Sequence, residues 1–194
     1  MASSAAFVSI PDIPESHFLH CVHLAVSKNA EWVPPHKSGA LYIRPLAFGA
    51  GGHLSLTPPS EYVLAVYVQP FATYMGTNAV DALILEEFDR AAPMGVGSGK
   101  VGGNYAPVIR WSDKARAEGF GLTLHLDSKT RSEIEEFSAA GFLALKYPKE
   151  EVESERAITV VIPDSLNVIK SITSESCIKV AQSLGWNVEI RRVS

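Results

Sequence analysis

A lysine lies within a segment unusually rich in glycine, a setting in which a lysine amine can do covalent chemistry. The segment runs from Gly95 to Tyr105 and reads Gly-Val-Gly-Ser-Gly-Lys-Val-Gly-Gly-Asn-Tyr. Because glycine has no side chain, the backbone of such a segment can approach a planar or anionic ligand closely. Lys100 is therefore the first candidate catalytic residue, either as a cation that binds phosphate or as an amine that bonds to a carbonyl group.

Two nucleotide-binding motifs fit this segment poorly. Gly97, Gly99 and Gly102 satisfy the spacing Gly-x-Gly-x-x-Gly, but no predicted strand leads directly into them, as a dinucleotide site requires. A Walker A loop would need a glycine where Met94 stands, and a serine or threonine where Val101 follows the lysine. A lysine that forms a Schiff base is the third interpretation.

The segment from Asp89 to Pro107 resembles the lysine segment of branched-chain aminotransferases, which are class IV aminotransferases that use pyridoxal phosphate. It shares their Lys-x-Gly-Gly-Asn-Tyr signature. Upstream, Trp32-Val-Pro and the run from Ser38 to Gly49, with its Leu-Tyr-x-Arg-Pro, are similar to the family's linker and substrate-side strand. Downstream, segments such as Ala115 to Phe120 and Val188 to Ser194 continue in family order. The resemblance covers nearly the whole chain.

The resemblance implies a role for each matching residue. Lys100 would form the Schiff base with pyridoxal phosphate and move a proton between the substrate Cα and the cofactor C4′. Glu136 matches the family's carboxylate beside the pyridine nitrogen, and Tyr105 matches the phenol that hydrogen-bonds the ring hydroxyl. Ile172 and Thr173 match residues at a helix N-terminus whose N–H groups hold the phosphate.

Tyr42 and Arg44 match residues on the substrate side of the family's site. A simpler explanation is also open for them, because they alternate with apolar residues on a predicted strand and could form an exposed polar face. Glu136 lies in the charged run Ser132-Glu-Ile-Glu-Glu, which could be a solvated helix end. Thr173 would cap a helix whether or not a cofactor binds.

Some of the family's cofactor contacts have no match in this sequence. The arginine that binds the phosphate and the Gly-Thr-Ala turn expected after Ser194 have no counterpart. The family's Glu-x-Gly-Thr-x-Asn reads Glu136-Phe-Ser-Ala-Ala-Gly, and its Leu-Pro-Gly reads Ile169-Lys-Ser. These departures leave alternatives open: a cofactor-free descendant with a repurposed pocket, as in secondary metabolism, a non-catalytic binding subunit, or a gene fragment that does not work alone.

The elements around these residues predict a mixed α/β fold. Apolar spacing and capping residues predict helices over Glu15–Ser27, over Pro107–Glu118 before Gly119, and from Thr173 as N-cap to Gly185 as the stop. Strands are predicted over Leu41–Phe48, Tyr62–Gln69, Phe120–Leu126, Phe142–Tyr147, Ala157–Ile162 and Trp186–Val193. The first two strands should pair, and the charged segment Lys149–Arg156 should form a solvated turn.

The resemblance implies a class IV aminotransferase-like fold with a partial small domain followed by a partial large domain. We expect the small-domain segment at residues 1–90, a glycine-rich linker or cofactor loop at 91–103, and the large-domain segment at 104–194. Apolar surface that the missing parts of the family fold would cover predicts a homodimer or a larger assembly.

Composition and charge exclude several partners. The formal net charge is −4 and the basic residues are scattered, so we expect no nucleic-acid partner. The longest apolar stretches, such as Tyr62–Val68, are strand-sized, so we expect no membrane partner. The N-terminal residues show neither a secretory nor a transit pattern, which predicts a cytoplasmic protein.

No metal site is predicted. The two cysteines, Cys21 and Cys177, lie far apart and form no CxxC motif. His17, His20 and His23 accompany Cys21, but histidines at steps of three drift around a helix and have no further ligand cluster nearby. The sequence therefore predicts a pyridoxal-phosphate-dependent aminotransferase that transfers an amino group between a branched-chain or similar apolar amino acid and 2-oxoglutarate.

Overall fold

The computed structural model describes residues 1–52, 54–72, 78–148 and 158–194, and it divides into two compact units. The first unit is Met1–Ala79 and the second is Val80–Ser194. The boundary predicted at the glycine-rich loop differs from this division. Residues 80–90 lie in the second unit, because β3 (Ala82–Leu85) pairs in parallel with β4 (Leu122–Leu126).

A long antiparallel pair of strands forms the centre of the first unit. Strand β1 (Ala40–Ala50) pairs with β2 (Glu61–Phe71) along its whole length. The helices of this unit are α1 (Ala2–Phe7), α2 (Glu15–Lys28) and a 3₁₀ turn (Ala30–Trp32). Helix α2 packs on both strands. The predicted helix and the predicted strand pair are therefore confirmed, and each strand extends one residue earlier and two residues later than predicted.

Within its described residues, the second unit contains two three-stranded sheets. In the first sheet, β4 lies between β3 and the antiparallel strand β5 (Ile134–Phe137). The second sheet comprises β6 (Ala144–Lys146), β7 (Thr159–Pro163) and β8 (Asn187–Arg191), with β7 in the middle, antiparallel to β6 and parallel to β8. The mixed α/β prediction is confirmed.

Each parallel strand pair is joined by a helix, as parallel pairing requires a crossover. Helix α3 (Gly102–Ala117) connects β3 to β4 and packs on β4. Helix α4 (Ile172–Ser183) connects β7 to β8 and packs on both. Among the described residues, no helix is long and apolar enough to span a bilayer.

Helix α3 begins five residues before the predicted start at Pro107. The prediction was wrong because the side chain of Asn104 fixes the first turn to the preceding loop. Its amide nitrogen donates to the carbonyl oxygens of Val96 at 2.7 Å and Gly99 at 3.0 Å. These bonds span eight and five residues, and the capping pattern used to predict the helix start contains no sign of them.

Helix α4 begins with a different cap from the one predicted. Thr173 is not the N-cap, because the hydroxyl of Ser171 accepts the N–H of Ser174 at 3.1 Å and takes that role. The predicted glycine stops are confirmed. Gly119 and Gly185 follow α3 and α4 with φ of +96° and +77°, backbone angles that residues with a side chain rarely adopt.

Strands are confirmed at β4, β6, β7 and β8, each shorter than the run predicted for it. Strands β3 and β5 were not predicted, because each has only four residues. The solvated turn predicted at Lys149–Arg156 lies outside the described residues.

A tight turn leads from β4 into β5. The carboxylate of Asp127 accepts backbone N–H bonds from Thr130, Ser132 and Glu133 at 2.6, 3.1 and 2.9 Å. The pairing of the two strands is also irregular between His125 and Leu126, where the register shifts. The turn and the bulge together set which residue of β5 lies opposite each residue of β4.

The glycine-rich loop packs closely on the loop before α4. A Cβ added at Gly97 would lie 2.6 Å from the Cβ of Ala91 and 2.8 Å from the carbonyl oxygen of Asn167. At Gly102, an added Cβ would meet nothing within 4 Å. A side chain is therefore excluded by close packing at Gly97 in the loop, but not at Gly102 at the start of α3.

We expect Gly97→Ala to lower the free energy of unfolding by about 1–3 kcal/mol, because backbone or side chains must shift to admit the methyl group. Gly102→Ala is the matched control, and we expect no loss or a gain of about 0.5–1 kcal/mol, since alanine favours a helix more than glycine does. Urea titrations followed by circular dichroism measure both. Equal effects of the two substitutions would contradict the packing described.

Candidate active site

A cavity of about 430 Å³ opens in the second unit. Its volume lies in the range of roughly 300–1,000 Å³ that small-molecule sites occupy. Four of the residues predicted for the site line it: Lys100, Tyr105, Glu136 and Thr173. The cavity therefore gathers side chains from the glycine-rich loop, α3, β5 and α4 in one place.

The amine and the phenol of the site face each other at the start of α3. The Nζ atom of Lys100 lies 4.4 Å from the centroid of the Tyr105 ring, within the range of a cation–π contact. Gly97 and Gly99 are buried, whereas Gly95 and Lys100 are exposed. The loop backbone is thus held in place while the amine stays accessible.

The carboxylate of the site comes from a buried strand. Glu136 lies on β5 opposite His125 of β4, and only 6% of its surface is exposed. The solvated helix end considered for this run is therefore wrong. The Oε1 atom of Glu136 lies 3.1 Å from Nη1 of Arg90, and the Oε2 atom of Glu136 accepts a hydrogen bond from the N–H of Ile169 at 3.4 Å.

Burial raises the pKa of the Glu136 carboxyl. The charge of Arg90, the N–H of Ile169 and the charge of Lys100 act in the opposite direction, and they stabilise the ionised form. The site thus places a carboxylate with a raised pKa within electrostatic reach of the candidate lysine. Perturbed carboxyl groups of this kind are typical of functional cavities.

Arg90 is a buried residue beside the site that was not predicted from the sequence. Its side chain is 3% exposed and donates to the carbonyl oxygens of Gly97 at 3.2 Å and Asn167 at 2.6 Å. It forms ion pairs with Glu136 and, at 3.9 Å, with Glu135. Its position within the resembling segment was the available signal, but nothing local indicates that this arginine is buried.

Glu135 is the second buried carboxylate of β5. It is 2% exposed and accepts hydrogen bonds from the hydroxyl of Ser165 at 2.8 Å and the side-chain amide of Asn167 at 3.0 Å. These partners, with Arg90, compensate the loss of water that burial of a charge requires. Glu135 is therefore held by the protein, whereas Glu136 is the one that lines the cavity.

The N-terminus of α4 closes another side of the cavity. Ser171, Thr173 and Ser174 line it, and the side chain of Ile172 is 81% exposed. The first N–H groups of a helix have no carbonyl partner within the helix, and the helix dipole favours an anion there. Thr173 lines the cavity and Ile172 does not, and the binding of a phosphate by their N–H groups stays a prediction.

Tyr42 and Arg44 lie on β1 of the first unit. The guanidinium carbon of Arg44 is 5.0 Å from the centroid of the Tyr42 ring, so the two side chains stack. Arg44 is exposed and Tyr42 is half-buried. Their role on the substrate side stays a prediction.

The chemistry of these groups fits pyridoxal phosphate. The amine of Lys100 suits its carbonyl carbon, the carboxylate of Glu136 suits a protonated ring nitrogen, and the phenol of Tyr105 suits the ring hydroxyl. The start of α4 suits the phosphate. The cavity thus offers one matching group for each polar part of the cofactor.

The histidine cluster of α2 contains one side-chain contact. The Nε2 atom of His17 lies 3.8 Å from the sulfur of Cys21. Across residues 1–52, 54–72, 78–148 and 158–194, no group of three or more His, Cys, Asp or Glu side chains is arranged to hold a metal ion.

His125 is fully buried beside the carboxylates. Its Nε2 lies 3.2 Å from the hydroxyl oxygen of Thr123, and within the described part of the chain its Nδ1 has no hydrogen-bond partner. Burial and then the charge of Arg90 lower the pKa of His125 from 6.5 to about 4. The imidazole is therefore neutral at pH 7 and does not add a third charge to the cluster.

Comparison with known proteins agrees with this arrangement. The family of class IV amino-transferases matches residues 1–194. Aminotransferase atnJ of Emericella nidulans is 59% identical over 194 residues, which are 100% of this chain and 55% of that protein. The chain thus spans about half the length of the curated relatives it matches.

Two solved structures are similar in fold. The branched-chain amino acid aminotransferase of Escherichia coli has a TM-score of 0.75 and 24% identity, over 98% of this chain and 59% of that chain. An aminotransferase from Brucella abortus, bound to the cofactor PLP, has a TM-score of 0.71 and 16% identity, over 100% of this chain and 65% of that chain. The predicted fold is thereby confirmed as part of this larger architecture.

The stability of the chain should fall in acid through His125. Between pH 7 and pH 5 the unfolded histidine takes up a proton while the folded one stays neutral, so unfolding should become easier by about 2 kcal/mol. His125→Gln keeps a neutral polar side chain and should remove most of that loss. Urea titrations at the two pH values measure it, with the exposed His23→Gln as control. A wild-type loss that persists in His125→Gln would refute the assignment.

Proposed function

Because the chain belongs to the class IV aminotransferase family, we propose that its second unit binds pyridoxal phosphate and that the protein transfers amino groups between amino acids and 2-oxo acids. The observation that carries this proposal is the cavity of the second unit. It brings Lys100, Tyr105 and Glu136 together with the N-terminus of α4.

Each of these groups has one task in the proposed reaction. When bound, pyridoxal phosphate supplies an electron-accepting ring that stabilises negative charge on the substrate Cα. Lys100 provides the amine that holds the cofactor covalently and, once released, its Nζ carries a proton to or from Cα. The carboxyl of Glu136, paired with Arg90 at 3.1 Å, would accept a hydrogen bond from the protonated ring nitrogen.

Two further groups orient the cofactor. Tyr105 donates its phenolic hydrogen to the ring oxygen, and its contact with Lys100 keeps the amine on the same side of the cavity. The N–H groups at Ile172 and Thr173 bind the phosphate at the start of α4. Together, the start of α4 and Lys100 would hold the cofactor at two ends of the cavity.

We further propose that the amino donor is a branched-chain or similar apolar amino acid and that 2-oxoglutarate is the acceptor. The apolar side chains of Phe137, Leu143 and Ile169 line the cavity and support an apolar donor. Arg44, a cation on β1 beside Tyr42, supports recognition of the carboxylates that an acceptor such as 2-oxoglutarate carries.

A homodimer is part of the proposal. Large apolar side chains on the strand pair of the first unit are exposed by 38–51%, among them Ile43, Leu46, Phe48, Val63 and Tyr67. An exposed apolar surface of this kind favours association with another copy of the chain.

Reductive trapping tests the cofactor site. We expect pyridoxal phosphate to give a visible absorption band with the purified protein, and borohydride to fix one pyridoxyl group at Lys100, because this amine lines the cavity. Lys100→Ala should lose both the band and the label. Lys114→Ala, which removes an exposed lysine of α3, should keep both.

The distribution of the label distinguishes this function from the alternatives. A label spread over many lysines, or none in wild type, would contradict a cofactor site and favour a cofactor-free descendant or a binding subunit. A specific label at Lys100 without turnover of any amino acid would keep the site and reject the transaminase activity.

We expect Arg44→Gln to lower kcat/KM for 2-oxoglutarate by at least about tenfold, and to affect the apolar donor less, because a charge-assisted contact to a carboxylate is lost. Arg110→Gln is the control, since Arg110 also stacks on an aromatic ring, 5.2 Å from the centroid of Trp111. Coupled assays with both substrates measure the effect. An equal loss with the two variants would contradict a substrate role for Arg44.

A further inference from the structure

We propose that Arg90 is a positioning residue of the site: its guanidinium holds the Glu136 carboxylate at the cavity wall and joins it to the loop that carries Lys100. This inference rests on the proposed function, because it concerns the carboxylate that would contact the cofactor. Arg90 itself acts through its neighbours, and its side chain is 3% exposed.

The two ends of the guanidinium contact different parts of the site. Nη1 lies 3.1 Å from Oε1 of Glu136 and donates to the carbonyl oxygen of Gly97 at 3.2 Å. Nη2 donates to the carbonyl oxygen of Asn167 at 2.6 Å. A rigid planar fork with several donors can make such contacts at once, whereas a lysine amine at the end of a flexible chain cannot reproduce them.

The contact with Gly97 links the carboxylate to the amine. Gly97 lies three residues before Lys100 in the same loop, and the side chain of Asn104 holds that loop at Val96 and Gly99. A shift of Arg90 would therefore move the position of Glu136 and the loop backbone together. Arg90 is thus a side chain that contacts both the carboxylate and the loop that carries the amine.

The two carboxylates beside Arg90 differ in their further partners. One guanidinium lies between two carboxylates, Glu135 and Glu136, while the third titratable neighbour, His125, is neutral at pH 7. Glu135 has Ser165 and Asn167 as further partners. Glu136 is the carboxylate that lines the cavity, and there the charge of Lys100 also acts on it.

This arrangement assigns different tasks to two consecutive residues of one strand. Glu135 keeps Arg90 in place and is satisfied within the protein. In the part of the chain that the structure describes, Glu136 shares Arg90 and accepts one further hydrogen bond, a long one of 3.4 Å from the N–H of Ile169. Among the described residues, Glu136 therefore keeps the greater capacity to accept a hydrogen bond from a ligand.

A titration of the cofactor-free protein tests the coupling without any assumption about activity. The side-chain carboxyl of Glu136 would be followed by carbon NMR with labelled glutamate and assigned with Glu136→Gln. We expect its midpoint to rise by about one pH unit or more in Arg90→Gln, because the nearest cation is lost. We expect it to fall in Glu135→Gln, because a like charge is removed and more of Arg90 becomes available.

Shifts in opposite directions would not arise from general loosening of the fold. If Arg90→Gln does not fold, Glu135→Gln decides alone, and an unchanged or raised midpoint there overturns the proposal. Arg131→Gln, which removes an exposed arginine paired with Asp89, is the matched control and should leave the midpoint of Glu136 in place.

The rate of borohydride-trapped labelling by pyridoxal phosphate tests the link to Lys100. Arg90→Gln should slow labelling of Lys100 at least tenfold, Arg90→Lys should recover part of the loss, and Arg131→Gln should match wild type. An unchanged rate in Arg90→Gln would overturn the proposal. If wild type itself is not labelled, the proposed function fails, and the titration decides whether Arg90 controls Glu136.

Discussion

A buried guanidinium between two buried carboxylates is the interaction on which the second unit depends. Removing a charge from water is costly, and only partners with good geometry compensate that cost. The two Nη atoms of Arg90 contact Glu135, Glu136 and two backbone carbonyl oxygens. These contacts come from β5, the glycine-rich loop and the loop before α4. The Arg90 side chain therefore holds three segments of the chain together.

Glycine makes that convergence possible. The backbone at Gly97 approaches Ala91 and Asn167 so closely that even a methyl group would overlap with them. This close approach brings the carbonyl oxygen of Gly97 within reach of Arg90 and leaves Lys100 at the rim of the cavity. The glycines that could suggest a flexible linker therefore belong, at this position, to a closely packed loop.

The sequence predicted the parts of the site whose signals are local. The Lys-x-Gly-Gly-Asn-Tyr motif indicated Lys100 and Tyr105, which line one cavity, and the sequence pattern predicted α2 and the pairing of β1 with β2. The parts it missed depend on tertiary contacts. A run with two adjacent glutamates is indistinguishable from a solvated segment until an arginine distant in sequence is known to lie beside it.

The turn between β4 and β5 has a consequence for which carboxylate the cavity receives. Glu136 lies opposite His125 and Glu135 falls at the register shift, so the register decides which of the two adjacent carboxylates lines the cavity. Asp127, by accepting three N–H groups of the turn, helps to fix that register. A single residue inserted in or deleted from this surface turn would therefore change which carboxylate faces the cavity, while every side chain of the cavity remained in the sequence.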